Sequence, residues 1–205
     1  MKWVIGIDEV GRGALAGPVV VAAAMIAVGG KKASRGAPLK DSKQLTAHQR
    51  EAWDKKLRAD PAVHFALARV YPRGIERMNI SGAANRAALK AFSRLSKTNK
   101  PLPGTPIFLD GGLFLGSKAE QHKNQKSAKT LIKADETIPA VAAASIIAKV
   151  ARDRFMVRLA KQYPKYGFEV HKGYGTAAHL RAIRKTGSCP AHRLTFLGKK
   201  HSMNR

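Results

Sequence analysis

The chain has 205 residues, 38 of them Lys or Arg and 13 Asp or Glu, for a formal net charge of +25. That length suits one domain, or one with a small appendage, with room for a sizeable core. So large a positive excess would repel itself without a counter-charge, which makes a polyanion, most commonly nucleic acid, the natural partner. Cys189 is the only cysteine, which excludes an internal disulfide and fits a reducing compartment. The apolar run over 14–28 is interrupted by Gly17 and Pro18 and falls short of a membrane span. A cytoplasmic protein with no membrane partner is expected.

In chain order, Val4 to Ile7 is a short β-branched run ending on Asp8 and Glu9, and Gly11, Arg12 and Gly13 follow directly. Successive strand side chains point to opposite faces. The two carboxylates can therefore serve one site only if the strand ends or bulges there, which the glycines would permit. Residues 19–26 read as a second buried strand, hairpinned to the first through the glycine-rich turn. Residues 29–38 read as a loop. Thr46 and Gln49 make a T-x-x-Q capping box at a helix start, and Lys40 and Lys43 just before it could meet phosphates. Residues 62–71 alternate as a third strand. A second helix is expected to begin after Asn79 or Ser81, with Ala84, Ala87, Ala88, Ala91 and Leu95 as one apolar stripe.

Ile107 to Leu109, then Asp110, Gly111 and Gly112, repeat the opening arrangement of strand, carboxylate and glycines. Residues 116–130 form a lysine-rich exposed loop, and Thr130 to Lys133 a short strand with Asp135 just past its end. Pro139 suits the first turn of the strongest helix, Ala140 to Leu159. Its apolar coverage leaves one narrow polar stripe of Ser145, Lys149 and Asp153, so the helix should be buried across the sheet. Lys149 and Asp153 can pair. Ser145 and Lys149 could support a site from this helix, with helix packing the favoured reading. Aromatics, lysine, histidine and glycine interleave from Tyr163 to Gly175. Tyr163, Tyr166 and Phe168 suit the core, while the rest could bracket a nucleic-acid backbone. His64, His122, His179 and His201 show no ligand spacing and are expected at surface or structural positions.

Asp8, Glu9, Asp110 and Asp135 thus all sit at strand ends or just beyond. Converging carboxylates raise one another's pKa unless a cation neutralises them. An all-oxygen ligand set selects Mg²⁺ or Mn²⁺ over zinc, and paired ions of this kind serve phosphoryl transfer. An acidic metal centre in a basic body favours a metal-dependent nuclease.

Several stretches are similar to one family. The segment from Gly6 to Pro18 resembles the signature of ribonuclease HII. Leu39 to Leu45 resembles that family's D-S-K-x-L segment, and Leu109-Asp110-Gly111 its third-carboxylate strand. Ala142 to Arg154 resembles its long helix, His171 to Thr176 its tyrosine motif, and His192-Arg193 a near-terminal motif. The resemblance implies an α/β fold: a ribonuclease H-like mixed sheet flanked by helices, with a small helical C-terminal part. Residues 1–160 would be the catalytic domain, and 161–205 a substrate-binding helical segment with a basic tail. It implies two-metal-ion cleavage of the RNA strand in RNA–DNA hybrids, and at single ribonucleotides embedded in duplex DNA, giving 3′-hydroxyl and 5′-phosphate ends. Asp8, Glu9, Asp110 and Asp135 would be the catalytic metal ligands for Mg²⁺ or Mn²⁺. Gly11, Arg12, Gly13 and Tyr174 would meet the 2′-hydroxyl, with Lys43 also on the nucleic acid, and a monomer is the expected state.

The chain departs from the family pattern at Ala134, where glycine commonly precedes the fourth aspartate, so a different local turn is expected. The competing readings are ribonuclease HIII, another ribonuclease H-like nuclease such as a resolvase, and a non-catalytic nucleic-acid-binding module that would need no divalent ion.

Overall fold

The computed structural model describes residues 2–28, 45–117, 119–121 and 127–198, so Lys40 and Lys43 lie outside the described residues. The strands are β1 (Lys2–Val10), β2 (Val19–Val28), β3 (Val63–Val70), β4 (Ile107–Asp110) and β5 (Ala128–Leu131). The helices are α1 (Ala47–Ala59), α2 (Pro72–Asn99), α3 (Ala134–Thr137), α4 (Pro139–Gln162), α5 (Phe168–His171), α6 (Ala177–Thr186) and α7 (Leu194–Leu197). They build one mixed sheet of order β3-β2-β1-β4-β5 with helices on both faces. The hairpin half, β1-β2-β3, is antiparallel, and β4 and β5 continue parallel to β1.

The alternation of strand side chains sorts β2 between two cores. Val19, Val21, Ala23 and Met25 pack beneath α2 with Ile5 and Ile7 of β1. Ala22 and Ala24 pack against α4 and Leu57 of α1. Both faces being covered, the strand reads as an unbroken apolar run. α4 is buried along most of its length from Ala140 to Arg152, which is why its apolar residues show no single stripe. It lies so close to β1 that a Cβ on Gly6 would fall inside the backbone of Ala140 and Val141. Gly6→Ala is therefore expected to cost about 3 kcal/mol by forcing the helix off the sheet. A thermal unfolding midpoint equal to that of the wild type would refute so tight an approach.

Two elements differ from expectation. α2 begins at Pro72, earlier than the polar Asn79–Ser81 region suggested, because Pro72 is accommodated in the first turn after the extended Tyr71. The helix kinks at Asn79 (φ 57°, ψ 172°), whose Oδ1 accepts from Gly82 N at 2.9 Å, so Asn79 caps the second segment. β5 starts at Ala128 and stops at Leu131, and the following turn holds Lys133. The capping box forms as read: Thr46 N donates to Gln49 Oε1 at 2.8 Å, and Gln49 N to Thr46 Oγ1 at 3.2 Å. A third cluster joins Met156 and Ala160 of α4 to Ala16, Tyr166, Phe168, Ile183 and Leu197, so the aromatic run does finish a core. Among the described residues, no helix is long and apolar enough to cross a membrane.

Candidate active site

The register of two neighbouring strands creates the centre of the site. Ile7 of β1 pairs in parallel with Leu109 of β4, so Asp8 and Asp110 sit side by side where the pairing of these two strands ends, at the carboxyl end of β4. Asp135 arrives from β5 through a tight turn in which Lys133 takes the left-handed conformation (φ 57°, ψ 38°). The turn thus differs at Ala134 as expected, with the positive φ carried by Lys133 one residue earlier. Ala134 is instead helical, and its N–H donates to Asp110 Oδ1 at 2.7 Å, fastening the fourth carboxylate's helix to the third carboxylate. One oxygen each from Asp8, Asp110 and Asp135 lies within 4.8 Å of the other two.

Glu9 behaves otherwise. β1 keeps its pairing through Glu9↔Val21 and Val10↔Val20, so the expected strand end or bulge does not occur. Glu9 is outside the three-aspartate cluster, and its Oε1 lies 3.4 Å from Arg12 Nη1. Asp8 and Glu9 nevertheless line one cleft, with Asp110, Arg50, Lys149 and Tyr174 on its walls. Ser145 and Lys149, expected to serve helix packing, face this cleft too. Ser145 hydrogen-bonds to Asp8, and Lys149 Nζ holds Asp153 Oδ1 at 3.0 Å.

Burial raises the Asp8 carboxyl well above its ordinary value, and the charges of Glu9 and Asp110 push the same way. Burial raises Glu9 as well, against the pull of Arg12. Clustered, desolvated carboxylates of this kind are stable as anions only beside a cation. Glu9 Oε2 is buried and has no hydrogen-bond partner. All the donors are hard oxygens, so the residues present fit Mg²⁺ or Mn²⁺.

Beside the carboxylates runs the turn from Gly11 to Pro18. Gly11 (φ 89°) is buried, Gly13 is exposed, and Arg12 reaches Ser81 Oγ at 3.3 Å from Nη2. Tyr174 stands across the cleft, with Arg152 Cζ 5.2 Å and Lys149 Nζ 5.8 Å from its ring centroid. Arg152 and Arg193 are wholly buried below this turn. Both fall inside stretches that carry the family resemblance, yet nothing in the sequence marks either as buried, since a lone arginine reads as surface.

Behind Tyr174 lies a histidine chain. His179, expected at a surface or structural position, is buried, and its Nδ1 meets Tyr174 O at 2.9 Å. A carbonyl can only accept, so Nδ1 carries the proton. His179 Nε2 then accepts from His192 Nε2 at 3.1 Å, and His192 Nδ1 accepts from Cys189 N at 2.9 Å. This bonding needs both rings neutral, and burial accordingly lowers each to about 4. These histidines hold the tyrosine loop and are far from ligand geometry.

A sequence model described as Ribonuclease HII matches residues 5–201. Ribonuclease HII of Nitratidesulfovibrio vulgaris is 43% identical over 197 residues, covering 94% of this chain and 85% of the relative. The crystal structure of ribonuclease H2 from Pyrococcus horikoshii superposes with a TM-score of 0.71 at 28% identity, covering 95% of this chain and 93% of that one. Bst-RNase HIII in complex with Mn²⁺ shares the fold, with a TM-score of 0.74 at 24% identity over 98% of this chain and 69% of its own.

Proposed function

Because this chain belongs to the ribonuclease HII family and is a metal-dependent endoribonuclease of the ribonuclease H type 2 class, we propose that Asp8, Glu9, Asp110 and Asp135 form its catalytic carboxylate set. We further propose that Gly11, Arg12, Gly13 and Tyr174 read a ribose 2′-hydroxyl, both in RNA–DNA hybrids and at single ribonucleotides within duplex DNA. The observation that carries the first part is the convergence of three aspartate oxygens within 4.8 Å, two of the aspartates lining a cleft that Arg50 and Lys149 also face. The family is Mg²⁺- or Mn²⁺-dependent. Asp8, Asp110 and Asp135, with Glu9 alongside, would hold such an ion there, which when bound would supply water activation and neutralise charge developing on the phosphate.

The chain's own residues do the rest. Ser145 and the main-chain N–H of Glu9 (2.7 Å to Oδ1) fix the Asp8 carboxylate. Ala134 N–H fixes that of Asp110. In-line attack of water on phosphorus breaks the bond to the 3′-oxygen, leaving 3′-hydroxyl and 5′-phosphate ends. Gly13, open on its outer side, lets the main chain approach a sugar edge. The 2′-hydroxyl is what distinguishes RNA from DNA at such a point. The C-terminal segment from 161 onward contributes Tyr174, and Lys43 is assigned to the nucleic acid. The protein is assigned as a monomer.

The test is a DNA duplex holding one ribonucleotide, beside a continuous RNA–DNA hybrid, each with Mg²⁺ or EDTA. Metal-dependent nicking 5′ to the ribonucleotide is expected, with KM raised about tenfold in Tyr174→Ala, the scale of one lost stacking contact. Cutting of the hybrid alone would remove the roles given to Arg12 and Tyr174. Tight binding with no cutting of either duplex would favour the non-catalytic binding module.

A further inference from the structure

We propose that Arg152, with Arg193 behind it, is the positioning residue that locks the Gly11–Pro18 turn to the Tyr174 loop, so that the two walls meeting the ribose hold a fixed spacing. This rests on the reading of Gly11, Arg12, Gly13 and Tyr174 as the ribose-recognition elements.

The bonds of Arg152 span two separate segments. Its Nε donates to Pro18 O at 3.0 Å and its Nη2 to Ala16 O at 3.1 Å, both in the turn. Its Nη1 donates to Lys172 O at 2.9 Å, two residues before Tyr174, whose ring lies over the same guanidinium. Gly11 rests directly on it, since a Cβ there would overlap Arg152 Nε. Arg193 braces the turn alone from below, with Nε to Gly17 O at 3.0 Å and Nη1 to Arg12 O at 2.8 Å. The two loops also touch directly: Leu15 N donates to Gly173 O at 2.8 Å, and a Cβ on Gly173 would meet Ala16 O at 2.6 Å.

Stability alone does not account for this arrangement. Two guanidiniums with no exposed surface carry a large desolvation cost, and well-packed apolar side chains are often as good or better for the fold. Burial lowers the pKa of both, Arg193 to about 9 with Arg152 adding to the effect, yet both remain charged at neutral pH. What a guanidinium provides and an apolar side chain lacks is a rigid planar fork of donors. Here that fork is aimed at carbonyls of two loops at once.

The decisive variant is Arg152→Lys, which keeps the charge but reaches the carbonyls as a point. On the single-ribonucleotide duplex KM is expected to rise about tenfold or more, the worth of one or two charged hydrogen bonds. The changes in kcat and in Mn²⁺ affinity, titrated without substrate, should stay within about threefold, under 1 kcal/mol. Should Arg152→Lys fail to fold, Arg193→Lys carries the test from the turn side, because its two partners, Arg12 O and Gly17 O, both lie in the turn whose spacing from Tyr174 is at issue. An unchanged KM in the folded variant, or an equal loss of kcat and Mn²⁺ affinity, overturns the proposal. Tyr174→Ala runs alongside. If it leaves KM unchanged, the ribose reading itself fails; if it raises KM while the arginine variants do not, only the positioning role fails.

Discussion

Asp8→Asn is expected to reduce cleavage by about 10³-fold or more, because losing a central ligand forfeits several kcal/mol of metal-supplied stabilisation. The same substitution is expected to make the metal-free protein more stable at neutral pH. Asp8 is nearly buried, and desolvation together with Glu9 and Asp110 holds its pKa well above the ordinary 3.8. A carboxyl whose pKa is raised by folding binds its proton more tightly in the native state. Stability therefore falls as pH climbs from the ordinary value through the raised one, and the loss is complete above it. Asparagine removes that charge while its Oδ1 can still accept from Glu9 N. In EDTA at neutral pH the variant's unfolding midpoint should lie above the wild type's, by about 2–4 °C for each 1 kcal/mol relieved. Below the ordinary value the two should converge. By the same linkage, Mn²⁺ binding to the wild type should strengthen as pH rises through the raised value, since the ion competes with the proton. Wild-type turnover in Asp8→Asn would remove it from the catalytic set. Equal midpoints in EDTA would show that the carboxylates are not in mutual repulsion.

The second large effect separates two adjacent acids. Asp135→Asn is expected to abolish most metal-dependent cleavage, by about 10²-fold or more for the loss of one peripheral ligand. Glu136→Gln should leave turnover near that of the wild type. Asp135 is 1% exposed and meets Asp8 and Asp110, whereas Glu136 is exposed and pairs with Lys133 at 3.1 Å. Such a surface pair contributes little. Steady-state rates in Mg²⁺ on the ribonucleotide duplex decide the matter; near-normal turnover in Asp135→Asn would move the fourth carboxylate elsewhere.

Much of this architecture is legible in the chain because its signals are local. The run from Val4 to Ile7, the alternation in β3, Pro139 at the first turn of α4 and the Thr46–Gln49 box each carry their conformation within a few residues. The start of α2 was not legible, because Pro72 is equally compatible with a loop. The kink at Asn79, where Asn79 caps Gly82, looks in sequence like a helix beginning. That the turn before Asp135 differs was legible from Ala134, but which residue takes the left-handed conformation was not. Lys133 accepts positive φ there because the helix that follows is anchored through Ala134 N to Asp110.

The sequence by itself named the candidate residues: a small set of acids read at strand ends, a glycine-flanked arginine and a tyrosine, in a chain whose charge favours a polyanion. Only the tertiary structure decided how they meet. The Ile7↔Leu109 register brings Asp8 beside Asp110, while Glu9, in unbroken pairing of β1, lines the same cleft from outside the three-aspartate cluster. The burial of Arg152 and Arg193, and the proton-ordered chain from Cys189 N–H through His192 and His179 to Tyr174, likewise exist only once segments far apart in the chain close on one another. Periodicity and propensity report on neighbours in sequence. Burial, coulombic coupling and carbonyl partners are set by neighbours in space, which one strand's pattern does not name.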